Sequence, residues 1–489
     1  MTNENEMWYT KDVFSKDVFS GVIKMFVGRN EELSILNKRY LSDKFEFGYL
    51  YGQRRIGKTS LIDEFCKNKN AILLFANDSD DVSLKADFTK SFYEQTTNEI
   101  HSPFANWEDF FQAVANYFGN DNGLLVIDEY PNIVIGRDKK RKKTDFVSKL
   151  QNAIDHVFKN TKILFILTGS NVSFMENEIK NSEAPLYKRH TFELMLSKLE
   201  WQDSCDMLKK MPDIELLKTL CLTDSYPYYL SNIDVNLSFD ENLYNLFFSR
   251  DSLFVTDPSK LITSDIVMTG FYATIMRLIS NGYNTISSIS KILNAESGKV
   301  ATYLDELIKI KAVSKHYMFN SKRITYYKIK DKMCSFYFKF IFSEVERIKL
   351  GYGKLIKDKY EEQIKTFINY AFEDLCISYL ENMNKNGKLN TLYDEFKNYK
   401  VENSKLGRSI EIDIVASDDN NLLIGECKFS KNKKNIKEYY NMIEDTSVEP
   451  FKNYENKNYY IFSLSGFDDS FNEKINNLHL VDAKVFLNK

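Results

Sequence analysis

The first two hundred residues alternate short, unbroken apolar runs with longer amphipathic stretches. Phe47–Tyr51, Ala71–Ala76, Gly123–Ile127, Lys162–Leu167 and Phe192–Leu196 are the apolar runs, and 60–65, 82–100 and 106–119 are the amphipathic stretches between them. Apolar runs of this length suit strands buried on both faces. Helices between them give an open parallel sheet of α/β type. Residues 198–262 read as helical and lid-like, with a local break at Ser225-Tyr226-Pro227-Tyr228-Tyr229-Leu230. The pattern then changes. Phe271–Ser280 is amphipathic, Asn281–Asn284 is a turn, Thr285–Leu293 and Glu296–Ile310 are helices, and Ala312–Phe319 and Arg323–Ile329 are strand-like runs hinged at Asn320–Lys322. Three helices and a hairpin make the winged-helix pattern. An aromatic helix follows near Phe336–Phe342, then a helix over Tyr360–Met383 and two strands, Ser409–Ala416 and Asn421–Lys428. The chain therefore divides into an arm (1–24), a parallel-sheet domain (25–197), a helical lid (198–264), a winged helix (265–345) and a C-terminal α/β domain (346–489).

Composition agrees with several domains. Length is 489 residues, with 43% hydrophobic and 28% charged residues, as in globular proteins. Only 7 Pro and 18 Gly argue against long flexible linkers. A net charge of −3 excludes a general polycation, so any nucleic-acid contact must come from local patches. One such patch is Gly136–Lys143, either a solvated loop or a phosphate-backbone contact. The six Cys are scattered without a CxxC pair, which fits free thiols in a reducing compartment. No run approaches a membrane span and no signal peptide is evident, so the cytoplasm is the expected location. The pentapeptide at Lys11–Ser15 repeats at Lys16–Ser20, a local duplication too short for a solenoid.

The strongest chemistry lies after the first apolar run. Gly52-Gln53-Arg54-Arg55-Ile56-Gly57-Lys58-Thr59 fits G-x-x-x-x-G-K-[ST], with Ser60 opening the next helix. The glycines let backbone N–H groups wrap phosphates, and the helix N-terminus adds positive potential. ATP with Mg²⁺ is the expected ligand, Lys58 reaching the β- and γ-phosphates and Thr59 the ion. The third apolar run ends in Asp128-Glu129. A buried strand delivers Asp128 to the Mg²⁺ shell, and Glu129 stands where a general base polarises the attacking water. The strand between loop and acid pair points to ATPases and away from small GTPases. Thr168, Ser170 or Asn171 either contacts the γ-phosphate or caps a helix. Arg189 is either a γ-phosphate sensor or finger, or a surface residue. Phe26–Leu33, an apolar start running into Gly28-Arg29, is either nucleotide-proximal or an ordinary strand–turn–helix.

A second constellation follows from register. If Asp419-Asn420 is a two-residue turn, Asp413 lies opposite Glu426 and Glu411 opposite Lys428. Strand alternation then gathers these three acids and the lysine on one face. Carboxylates so close call for a cation, and oxygen ligands suit Mg²⁺, with Asp413 and Glu426 as its ligands. Lys428 would orient or deprotonate a water or steady developing charge. The alternative is a salt-bridge ladder in which Lys428 pairs with Glu411.

Residues 25–260 resemble the archaeal-type ATPases of the AAA+/STAND group. The matching stretches are Phe26–Leu33, Gly52–Thr59, Asp128-Glu129, Thr168–Ser170 and Ala184–Arg189. The resemblance implies that Pro227 senses nucleotide from the lid. Two departures stand out: Ser225 and Lys188 occupy positions where the family has glycine. Residues 355–489 resemble the PD-(D/E)XK, restriction-endonuclease-like fold through Asp413, Glu426 and Lys428. That resemblance implies that Glu373 is the fold's helix glutamate. Together the two imply an ATP-controlled, Mg²⁺-dependent protein acting on DNA. The competing readings are a nucleotide-driven switch that binds DNA or a protein without cutting, and a ring-forming motor in a nucleotide-dependent oligomer. The second long winged-helix helix is expected to expose Ser297, Lys299, Thr302 and Tyr303 beside Asp305 and Glu306, for DNA contact or internal regulation.

Overall fold

The computed structural model describes residues 26–99, 101–135, 144–256, 270–319, 321, 323, 325–403, 408–430, 432–471 and 475–487. The N-terminal arm with its repeat and the basic run 136–143 lie outside the described residues.

Five parallel strands form the first sheet: β1 (Glu46–Tyr51), β2 (Ala71–Phe75), β3 (Asn122–Asp128), β4 (Lys162–Gly169) and β5 (Phe192–Met195), in the order β2-β3-β4-β1-β5. Alternation splits their side chains between two cores. Phe47, Tyr49, Leu125, Ile127, Phe165 and Leu167 face the helices Asp81–Thr96 and Trp107–Phe118, in an aromatic cluster with Phe88, Trp107, Phe110 and Phe146. Leu50, Leu124, Val126, Leu164 and Ile166 face the other way. Both faces being covered explains why the strands read as unbroken apolar runs.

The second face does not end at its own domain. Its apolar cluster runs on through the lid helices (Trp201–Leu208, Asp213–Thr223, Pro227–Leu230, Phe239–Phe247), the winged helix and the long helix Glu361–Lys385, reaching Phe486 and Leu487. The winged helix has the expected elements: helices Phe271–Ser280, Ile286–Leu293 and Ser297–Lys309, then an antiparallel hairpin of β6 (Val313–Tyr317) and β7 (Thr325–Ile329). The middle helix starts at a reciprocal cap between Thr285 and Ser288. Tyr303 departs from the expectation of an exposed reader. It packs against Phe271 and Tyr272, with ring centroids 4.6 and 4.7 Å away.

The C-terminal domain is a mixed sheet in the order β12-β11-β10-β9-β8, formed by β8 (Lys397–Asn403), β9 (Arg408–Ser417), β10 (Asn421–Lys428), β11 (Asn456–Ser463) and β12 (Leu478–Asp482). Strand β10 pairs antiparallel with β9 and parallel with β11. The β9–β10 register is the one a two-residue turn demands: Leu422 faces Ser417 and Gly425 faces Ile414. No helix among the described residues is long and apolar enough to cross a membrane.

Candidate nucleotide site and C-terminal acid centre

The phosphate loop leaves the carboxyl end of β1 and enters the helix Lys58–Cys66. Gly57 caps that helix at φ 84°, a conformation glycine adopts freely. Lys58 is buried and folded back, donating to the carbonyls of Gly52 (2.9 Å) and Gln53 (3.0 Å). Burial pushes its ammonium below the ordinary range, against the pull of Glu129 and Asp128. Arg54, Thr59 and Ser60 are exposed at the mouth of the loop, while Ile56 is buried beneath it.

Two acids face the loop from β3. Asp128 Oδ2 accepts from the Thr59 hydroxyl at 3.4 Å, and its Oδ1 accepts from Thr168. Burial raises the Asp128 carboxyl above its usual range, and Glu129 adds to this. That is the state expected of a carboxylate whose counter-cation is a ligand. Thr59 and Asp128 thus present two hard oxygens side by side, and this pair fits Mg²⁺. Glu129 Oε2 accepts from the Ser170 hydroxyl (2.9 Å) and N–H (3.2 Å). Glu129 itself has φ 56°, so the backbone turns sharply where the base is presented. Thr168 and Ser170 therefore hold the acids, and Asn171 caps the helix Val172–Lys180 through Phe174 N–H.

The lid closes on the loop. Pro227 begins a short helix directly over Gly57, where an added Cβ would meet the proline ring at 3.7 Å. Tyr226 OH donates to Gln53 Oε1 (2.8 Å), and Tyr228 N–H donates to the Arg55 carbonyl (3.3 Å). Arg55 reaches the Tyr229 hydroxyl at 3.3 Å. Arg29 is a residue whose role spacing left open. It is buried and donates to Ile56 O (2.9 Å) and Ser197 O (2.6 Å), bracing the loop from behind.

Arg189 is not at this site. It precedes β5, whose first residues pair near the start of β1, at the sheet edge opposite the loop. Its guanidinium is held by Asp155 through Nε (2.9 Å) and Nη2 (2.8 Å) and by Pro185 O (2.9 Å). A contact to this chain's own γ-phosphate fails because a residue just before a parallel strand lies at its amino end, whereas the phosphate loop lies at the carboxyl ends. The two departures from family glycines acquire a physical meaning. Lys188 has φ 59° and Ser225 φ 58°, both left-handed. Such a conformation costs an L-residue about 1–2 kcal/mol, while glycine loses about 0.5–1 kcal/mol of chain entropy. Lys188→Gly and Ser225→Gly are each expected to stabilise the chain by about 0.5–1 kcal/mol. Urea unfolding checks this, and a loss of stability in both would refute it.

In the C-terminal domain, Asp413 of β9 and Glu426 and Lys428 of β10 come together with Glu373 of the long helix. Lys428 pairs with Glu426, and Asp413 Oδ2 accepts from Cys427 N–H at 2.8 Å. Glu411 lies on the same face of β9 as Asp413, but it pairs with Lys400 of β8 (2.7 Å), so the Lys428–Glu411 ladder does not form. Burial, then repulsion from Asp413, raises Glu373 to about 9 and Glu426 to about 7. Asp413 is raised by burial, against the Cys427 N–H and Lys428. Burial opposes the charge of Lys428, but Glu426 outweighs it and the net shift is upward. Among the described residues, no three His, Cys, Asp or Glu side chains converge into a ready-made metal cage. Asp413 and Glu426 fit a hard cation in kind, being oxygen donors in need of counter-charge, and Lys428 now supplies part of that charge to Glu426. Sequence reasoning missed Asn398. Its Nδ2 donates to Glu373 Oε2 (3.2 Å) and to the Asp413 carbonyl (2.6 Å).

Residues 26–233 match a family model of ATPase domains found predominantly in Archaea. Residues 337–440 match one of archaeal and bacterial proteins of unknown function. An uncharacterized protein of Methanocaldococcus jannaschii is 29% identical over 425 residues, spanning 85% of this chain and 90% of that protein. Among solved structures, a Walker-type ATPase of Pyrococcus abyssi covers 64% of this chain and 96% of its own at 19% identity and a TM-score of 0.48. The Aeropyrum pernix ORC2 protein covers 72% and 98% at 14% identity and a TM-score of 0.45.

Proposed function

Because this chain belongs to the archaeal-type ATPase family, we propose that it hydrolyses ATP at Gly52–Ser60. We further propose that nucleotide state governs a Mg²⁺-dependent centre in the C-terminal domain that acts on DNA. At the first site Lys58 would leave the Gly52 and Gln53 carbonyls to meet the phosphates, and Thr59 and Asp128 would hold the ion, which would neutralise phosphate charge. Glu129 accepts a proton from the attacking water at its carboxylate, aimed by Ser170. Pro227, Tyr226 and Tyr228 close the lid over the loop and exclude solvent from it.

At the second site Asp413 and Glu426 would hold a divalent ion, which supplies Lewis-acid polarisation of a phosphodiester when bound. Lys428 then orients the attacking water, and Glu373 contributes a further carboxyl. The observation that carries this reading is the meeting of Asp413, Glu426, Lys428 and Glu373 in one half-buried cluster. The test is cleavage of a panel of DNA and RNA forms with Mg²⁺ or Mn²⁺, with and without ATP. Wild type should cut at least one form, and Glu426→Ala should abolish cutting while nucleotide binding stays intact. Failure to cut any form with either metal would refute the nuclease reading.

One observation favours the alternative of a switch that binds without cutting. Lys428 already neutralises Glu426, as a structural ion pair would. In that case nucleotide-dependent binding of DNA or a protein persists in Asp413→Ala.

A further inference from the structure

The winged-helix hairpin spans the distance between the two sites, and it touches both. At its near end Gln53 Nε2, in the phosphate loop, donates to Lys311 O at 3.1 Å. Lys311 Nζ pairs with Glu176 at 3.3 Å, and Ser173 OH donates to Lys309 O, both partners lying on the helix that follows β4. Lys311 has φ 61°, a left-handed turn that these contacts hold in place. At its far end Phe319 is 8% exposed and sits in the C-terminal core, stacked on Phe451 (5.6 Å) and edge-on to Tyr399 (6.2 Å). The tip of the wing is therefore committed to the C-terminal domain.

Strand β7 also carries Lys328, whose Nζ donates to Asn398 Oδ1 at 3.0 Å. A carboxamide has one acceptor end and one donor end. A lysine ammonium can meet only the acceptor end, so Lys328 decides which way Asn398 points. The donor end is thereby left to clamp Glu373 to the Asp413 carbonyl. Without Lys328 the amide is free to turn and present oxygen to oxygen. A second link runs beside the first. Tyr229 of the lid donates to Asp331, which follows β7, and the adjacent Lys332 pairs with Asp374, next to Glu373.

We propose that Lys328 and Asn398 are positioning residues of the C-terminal acid centre, and that the hairpin carrying Lys328 makes their grip depend on the nucleotide bound at the phosphate loop. This rests on the reading of Asp413, Glu426 and Glu373 as a working centre, and it names the parts that govern it. Phosphate binding reorganises the loop around Gln53. The Lys311 carbonyl follows, and the hairpin transmits the shift to Lys328.

Hydrogen–deuterium exchange on the full chain tests this without DNA, with Mg²⁺ at the same concentration in every sample so that the nucleotide is the only variable. The probe is a non-hydrolysable ATP analogue with Mg²⁺. In wild type the analogue should change exchange in 361–385 and 408–417 by roughly two- to thirtyfold, the range of ordinary coupling energies. Lys328→Gln and Asn398→Ala should bind the analogue with unchanged affinity yet lose that response, and Lys328→Arg should restore it. No response in wild type, or a wild-type response in both Lys328→Gln and Asn398→Ala, overturns the proposal. Because this readout needs no cleavage, its failure is separable from failure of the nuclease reading.

Discussion

Glu129→Gln should slow ATP hydrolysis by about 10²–10⁴-fold and leave nucleotide affinity near that of wild type. The substitution keeps size and the ability to accept from Ser170, whose hydroxyl lies 2.9 Å from the carboxylate. It removes the one thing a general base needs, a site of proton affinity in the transition state. Asp128, Thr59 and Lys58 are untouched, so the ion and phosphate contacts persist. Single-turnover phosphate release gives the chemical step, and calorimetric titration with ATP gives the affinity. A drop of less than about tenfold would remove Glu129 from the role of base. A loss of binding would place it among the phosphate or ion contacts instead.

What was legible in the sequence were features with a local rule behind them. The phosphate loop is one, because its spacing is set by backbone geometry within a few residues. The β9–β10 register is another, because a two-residue turn leaves no freedom: Leu422 opposite Ser417 follows from Asp419-Asn420 alone. What was not legible depended on distant parts of the chain. Arg189 stood open between a phosphate contact and a surface position, and the partner that settles its guanidinium, Asp155, lies 34 residues away in sequence. Glu411 is on the predicted strand, but its partner is Lys400 of β8 and not Lys428. Phe319 reads as an ordinary strand end. Its burial against Phe451 depends on a domain more than a hundred residues downstream. Asn398 carries no motif, and only the assembled cluster shows what its amide holds. Arg29, by contrast, had a signal: a Gly-Arg step before a helix, at a left-handed N-cap, is a place where a side chain can fold back beneath the next loop.

Glu373→Gln should stabilise the metal-free chain at pH 7.5, by an amount on the order of 3 kcal/mol. The sign follows from linkage. Burial and Asp413 raise the folded Glu373 carboxyl from 4.5 to about 9. The folded state thus holds a proton that the unfolded chain has released. Stability falls as pH rises from the unfolded value toward the folded one, and at pH 7.5 most of that loss has accumulated. Glutamine cannot ionise, and its side-chain oxygen can still accept from Asn398. The gain should therefore shrink toward zero as pH falls to about 4.5. Urea unfolding of wild type and variant between pH 5 and 8, with chelator present, measures it. A gain that does not change with pH would mean that Glu373 is an ordinary surface-like acid, and that the cluster carries no charge frustration for a cation to relieve. Adding Mn²⁺ gives the complementary result. Bound to the ionised acids, it should stabilise wild type more as pH rises, by about 2.7 kcal/mol at a hundredfold excess over its dissociation constant. Asp413→Asn should erase that response, because it removes a donor while leaving the phosphate loop intact.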